Sequence, residues 1–241
     1  MTAPIVIDRR FCGPPDSGNG GYVSGLVAGL VDGPAEVTLR RPPPLDTPLT
    51  VARGDDGSVH VLDGSELVAS GGRRRDDLRI DVPDRVTVAQ AEHAATASRL
   101  HEHPEDHPFP TCFVCGPQRA PGDGLGILVG PVDGRKVAAA AWTPAADLAG
   151  ASGVVRPEFV WAALDCSGGV GSWLVDPIGG NPFVLGRMAV TIRGPVRTGA
   201  PHAVVGWRAG HDGRKVAAGS AVFTADGDLV ALARATWIQL A

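Results

Sequence analysis

Two apolar stretches of helical length stand out along the chain, Gly20 to Leu30 and Pro157 to Val175, each accompanied by short alternating or apolar runs. With the first go Ala35–Arg40, Leu49–Arg53, Ser58–Leu62 and Glu66–Ser70, the later ones parted by Asp55-Asp56-Gly57 and Asp63-Gly64. With the second go Leu125–Val129, Lys136–Thr143, Gly186–Arg193, Ala203–Ala209, Lys215–Thr224 and Leu229–Gln239. Short runs bounded by Asp and Gly read as strands joined by tight turns, so each half is expected to be one helix against a meandering antiparallel sheet. Between the halves, residues 73–110 open on RRRDD and close on HEHPEDHPFP. Their middle, Val88 to Leu100, predicts a helix with Thr87 and Gln90 at capping-box spacing, read as a solvated connector.

The halves repeat. Residues 37–51 (VTLRRPPPLDTPLTV) and 190–204 (VTIRGPVRTGAPHAV) align without a gap at a shift of 153, matching Val37, Thr38, Arg40, Pro42, Pro48 and Val51. Asp63-Gly64 with Leu67-Val68-Ala69 answers Asp226-Gly227 with Leu229-Val230-Ala231. A second match, DGRKVAA at 133–139 and 212–218, conflicts with that register and reads as the same Asp-Gly hairpin used twice. Two copies imply a duplicated domain whose halves pack as a pseudo-dimer. Within the first helix Gly21, Gly25 and Gly29 recur every four residues, and the second carries Ala162, Ala163, Cys166, Ser167, Gly168 and Gly171. Each helical Gly costs about 1 kcal/mol against Ala, tolerable where a small ridge lets a sheet approach closely. The expected fold class is α+β, two hotdog modules, each an antiparallel sheet curled around a central helix.

Composition narrows the function. In 241 residues the hydrophobic share of 44% is too high for a disordered chain, despite Gly 33 and Pro 21. Lys+Arg 22 against Asp+Glu 26, a net charge of −4, argues against a nucleic-acid partner. No run approaches the length of a membrane span, and Met1 to Arg10 lacks a basic segment leading into an apolar one. Four cysteines are too few for a disulfide framework of this size. A cytoplasmic protein without a membrane partner is expected.

Three segments, in this order, resemble the double-hotdog acyl-CoA thioesterase-like family and are similar to its type-II enzymes. Asn19-Gly20-Gly21-Tyr22-Val23 resembles the Gly-Gly opening of the first hotdog helix. CFVCGPQRAPGDGLGI at 112–127 resembles the Cys-x-x-Cys-Gly…Gly-Leu segment before many such domains. PEFVWAALDCSGG at 157–169 resembles the second helix, where related enzymes carry a catalytic carboxylate about nine residues in, here Asp165. The resemblance implies modules at 1–85 and 111–241 with a linker at 86–110, and hydrolysis of an acyl-CoA or related thioester at one composite site. It implies no cofactor beyond the coenzyme A of the substrate, and a homodimer as the further assembly. The alternatives are a non-catalytic acyl-CoA or fatty-acyl binding protein and a metal-stabilised interaction module.

The residues allot the roles. Asp165 lies in an apolar helix, where desolvation raises a carboxylate pKa toward the range of a general base or nucleophile. Gly20 and Gly21 open the first helix, whose N–H groups can polarise a thioester carbonyl, with Asn19 and Tyr22 beside them as substrate contacts. Pro157 deprives the second helix of such a donor, and the place matching Asp165 in the first helix, near Ala28, has no acid. Arg73 and Arg74 are candidates for the phosphates of coenzyme A, although Asp76 and Asp77 follow at once. Against the family pattern, the Thr partner falls near Val184, the Gln partner near Arg234 or Ala235, and Asn19 stands where many relatives carry His.

Competing motifs are weaker. Cys112-x-x-Cys115 with His101, His103 and His107 lacks a second Cys or His pair at set spacing, so no metal is expected. GYVSG has its Ser one place too late for a nucleophile elbow, and Gly169-Val170-Gly171 lacks the third Gly of a dinucleotide loop. Gly180-Asn181-Pro182 lacks the Asp and His of the hotdog hydratases.

Overall fold

The computed structural model describes residues 3–150, 152–179 and 181–240; Met1, Thr2, Gly180 of the Gly-Asn-Pro triplet and the C-terminal end of the second module lie outside. In chain order the elements are α1 (Gly20–Ala28), β1 (Ala35–Leu39), β2 (Thr50–Arg53), β3 (Val59–Asp63), β4 (Glu66–Arg73), α2 (Val88–Thr96) and α3 (Arg99–Glu102). Then follow β5 (Gly130–Pro131), β6 (Ala138–Trp142), α4 (Pro157–Val175), β7 (Phe183–Ile192), β8 (His202–Asp212), β9 (Lys215–Thr224) and β10 (Leu229–Gln239). The strands form one antiparallel sheet in the order β2-β3-β4-β1-β7-β10-β9-β8-β6-β5. Asp212-Gly213 and Asp133-Gly134 both lie in hairpin turns, with Gly at φ 54 and 68, a backbone region that side chains disfavour.

About the β1–β7 contact the order β1-β4-β3-β2 on one side mirrors β7-β10-β9-β8 on the other, as a pseudo-twofold requires, and β6 and β5 extend the second half. Glu36 pairs with Ala189, its own counterpart at a shift of 153, so the axis passes through that pair. Upstream, the shift is different. The bridges Cys12↔Gly18 and Ala149↔Val155 correspond at 137, and Ile5 meets Leu49 where Trp142 meets His202. The second copy therefore carries extra chain between the start of its helix and β7, much of it in α4, which has 19 residues against 9 in α1.

α1 packs on β1, β4 and β7, and α4 on β6 to β10. Their shared core runs across both halves, with Val23, Val27, Phe159, Val160 and Leu164 at most 1% exposed. The outer face of the second-half sheet is covered too: Ala91 and Ala94 of α2 join Val137, Ala139, Val205 and Phe223. That double cover explains why β8 and β9 are apolar on both faces. The capping box at Thr87 and Gln90 is present, but the connector is docked on the sheet rather than solvated, and its helix breaks before Ser98. There the Ser98 hydroxyl donates to the Val129 carbonyl at 2.8 Å.

Two further expectations fail for tertiary reasons. Leu125–Val129 is not a strand: Leu125 and Ile127 donate to the carbonyls of Phe113 and Val114, drawing the segment onto the Cys-x-x-Cys loop instead of the sheet edge. In the glycine ladder of α1, Gly21 and Gly25 meet α4, not a sheet. A Cβ on Gly25 would lie 2.5 Å from Glu158 Cα, and one on Gly21 would lie 2.6 Å from the Trp161 carbonyl. The helices thus cross antiparallel at backbone contact. Among the described residues no helix is long and apolar enough to cross a membrane.

The ladder makes opposite predictions for two glycines of identical spacing. Gly25→Ala should cost about 1–3 kcal/mol by forcing the helices apart. Gly29→Ala, at a helical φ of −63 with no contact closer than 3.5 Å, should gain up to about 1 kcal/mol. Urea denaturation of the two variants checks the contrast.

Candidate functional site

α1 is preceded by Asn19, whose Oδ1 accepts the Tyr22 N–H at 2.9 Å, so the side chain caps the helix. One residue into the helix, the Gly21 N–H donates to Asp165 Oδ2 at 2.8 Å. Asp165 comes from the middle of α4 and is 2% exposed; its other oxygen, Oδ1, is buried with no partner among the described residues. Only glycine at position 21 permits this approach, because a Cβ there would collide with the Cβ of Asp165. Burial pushes the Asp165 pKa up from 3.8 to about 8, with the Gly21 hydrogen bond opposing and neighbouring Cys112 adding to the rise.

The pseudo-twofold shows why there is one such pair. At the helix shift of 137, Ala28 takes the place of Asp165 and Glu158 that of Gly21. Glu158 instead lies 3.5 Å from Arg156. Around the α1 opening, Tyr22 stacks on Phe11 with ring centroids 4.2 Å apart and meets Phe113 and Phe159. Arg10 and Arg119 lie over Phe113 and Arg156 over Phe159. Burial, then Glu158, raises the Tyr22 hydroxyl to about 12, so it stays protonated.

Of the residues singled out from sequence, Asn19, Gly20, Gly21, Tyr22 and Asp165 converge on this corner. The backbone N–H groups of Gly21 and Tyr22 are both engaged, the first by Asp165 and the second by Asn19. Gly20 packs against Leu185 and Leu39 of the sheet. Arg73 and Arg74 do not join them. They follow Gly71, which packs on Val27 and Val31 at the other end of α1, and Arg74 bonds Thr191 at 3.2 Å. Position 235 faces the core as Ala, and Arg234 is exposed beside Glu36 at 3.5 Å, so neither supplies an amide to Asp165.

Sequence reasoning missed Cys166. Its Sγ lies 3.7 Å from that of Cys112, and with Cys115 the three thiols sit within 4.8 Å of one another, all buried. Asn19 Nδ2 faces two of them, at 3.8 Å from Cys112 and 3.6 Å from Cys166. Hydrogen bonds from Cys115 and Cys166 pull the Cys112 thiol well below its usual range. The only signal in the sequence was that Cys166 adjoins Asp165. His101 and His103 are exposed, and His103 pairs with Glu105 at 3.2 Å.

No protein-family profile matches the sequence, and no curated protein matches it. Solved structures do. A tesB protein of Mycobacterium avium subsp. paratuberculosis superposes with a TM-score of 0.57 at 11% identity, over 95% of this chain and 90% of that one. The E. coli PaaI protein from the phenylacetic acid degradation operon gives 0.45 at 14% identity, over 63% of this chain and 96% of its own. A thioesterase superfamily protein gives 0.41 at 16% identity over 48% of this chain, which spans 55% of that protein. The first likeness covers nearly the whole molecule and establishes the fold as a double hotdog.

A carboxyl held in apolar surroundings by one backbone N–H is a cost to the fold, whereas an amide keeps the acceptor without the charge. Asp165→Asn should therefore leave the melting temperature unchanged or raise it. Asn19→Ala should lower stability by about 1 kcal/mol through loss of the cap. Thermal melts of both variants check this; a large loss for Asp165→Asn would mark the carboxylate as structural.

Proposed function

We propose that the chain hydrolyses an acyl thioester, with acyl-CoA the expected substrate class, at the junction of the α1 N-terminus and Asp165. The observation that carries the reading is the 2.8 Å contact between Asp165 Oδ2 and the Gly21 N–H, made across the interface of the two halves. It joins a carboxyl to the positive end of a helix dipole, the two groups that acyl transfer needs. Asp165 is 2% exposed, so this reading requires the site to open to admit the substrate. The carbonyl oxygen then takes over the Gly21 N–H, with the Gly20 N–H beside it, and developing negative charge gathers at the helix end. Asp165, released from Gly21, accepts a proton from the water that attacks the carbonyl carbon. As the carbon–sulfur bond breaks, it returns that proton to the leaving thiolate. A carboxyl poised near neutrality moves a proton in either direction at small cost.

A second reading, binding an acyl ligand without turnover, is favoured by one specific feature: the places where type-II enzymes carry Thr and Gln to assist the Asp fall near Val184 and at Arg234 or Ala235. The two readings part in one assay. A panel of acyl-CoA compounds with a free-thiol reagent should show release for at least one acyl group. Asp165→Asn should lower that rate about 10²-fold or more. Glu158→Gln, at the matching place that lacks an acid partner, should leave it intact. Thermal stabilisation by acyl-CoA with no thiol release across the panel would select the binding reading, and undiminished turnover in Asp165→Asn would remove Asp165 from the mechanism.

A further inference from the structure

We propose that Cys112, Cys115 and Cys166 together bind one zinc ion, stitching the 112–127 loop to α4. The three sulfurs come from two regions far apart in sequence, yet lie within 4.8 Å of one another among the described residues. Zinc–thiolate bonds of about 2.3 Å in tetrahedral geometry put two sulfurs about 3.8 Å apart. Cys112 and Cys166 are already 3.7 Å apart. A disulfide needs about 2.05 Å and leaves one of three thiols over.

The loop is shaped for ligation. Cys112 N–H donates to Phe109 and Gly116 N–H to Cys112, closing a tight turn around the Cys-x-x-Cys pair. A Cβ on Gly116 would lie 2.5 Å from Cys112 N and O, so the turn admits only glycine. Asn19 Nδ2 lies against two of the sulfurs, at 3.8 and 3.6 Å, the outer-layer donor that thiolate ligands call for. All three thiols are at most 6% exposed. Three soft ligands select a thiophilic ion such as zinc over magnesium or calcium.

The fourth vertex falls to a small exogenous ligand such as water. His107 does not fill it. Its Nδ1 accepts the Phe109 N–H at 3.0 Å, which leaves the proton on Nε2 and denies that atom a lone pair for metal. The expectation of no metal rested on Cys112, Cys115 and those upstream histidines; the third ligand instead arrives from α4. The ion's presence is independent of the hydrolase reading.

The test is elemental analysis of the full chain, purified with and without added zinc. Zinc should be close to one per chain. Titration with an organomercurial should release it to a chromogenic chelator as three thiols react. Cys166→Ser and Cys112→Ser should each reduce zinc at least tenfold, while Cys12→Ser, whose sulfur instead meets Arg119 at 3.2 Å, should keep it. Cobalt loading should give thiolate-to-metal charge-transfer absorption, a readout on the unaltered chain that does not depend on the variants folding. Zinc-loaded protein that retains no metal, or stoichiometric zinc in folded Cys166→Ser, would overturn the proposal.

Discussion

The backbone contact between α1 and α4 is what the rest of the molecule depends on. Gly21 and Gly25 let two helices approach until one lies on the Cα atoms of the other, and that approach brings a carboxylate of the second half onto an N–H of the first. The sheet follows from the same closeness. With the helices crossing antiparallel, β1 and β7 come side by side and pair through Glu36 and Ala189, so ten strands form one surface. The helix contact and the strand contact are two sections through one pseudo-twofold.

That axis relates the backbones but not the chemistry. Each end of the helix pair offers a place for an acid and a place for a glycine, and only one end has both. At the other, Ala28 and Glu158 exchange the residue types, and Pro157 takes away a donor. The Cys-x-x-Cys loop adds a second asymmetry on the same side, since its sulfurs meet Cys166 next to Asp165. The Asp165 corner is therefore where three sequence-distant pieces meet: the cap of α1, the middle of α4 and the 112–127 loop.

Much of the fold was legible because turns and periodicity are local. Asp63-Gly64 and Asp226-Gly227 mark hairpins in both copies, and Pro157 to Val175 coincides with α4. Asp165 could be singled out because the segment 157–169 resembles the second hotdog helix and because a carboxylate inside an apolar helix is conspicuous. What stayed hidden was tertiary. Nothing local says that Gly21 and Gly25 of α1 face a helix and not a sheet. Nor does it say that Leu125–Val129 spends its N–H groups on a neighbouring loop, or that Arg73 and Arg74 end up beyond Gly71 at the opposite end of α1. Cys166 was invisible as a partner of Cys112 because the link exists only once α4 packs against the loop.

The change of shift between the copies, 137 before the helices and 153 after them, has a consequence for what such a chain can become. In an assembly of two identical subunits, any insertion or exchange at one end of the helix pair is written at the other end as well. Covalent joining releases that constraint: the extra turns of α4 lengthen one wall and leave its counterpart alone. The second corner carries Ala28 and Glu158 where the first carries Asp165 and Gly21, so the burial of an acid that two identical copies would have borne twice is borne once.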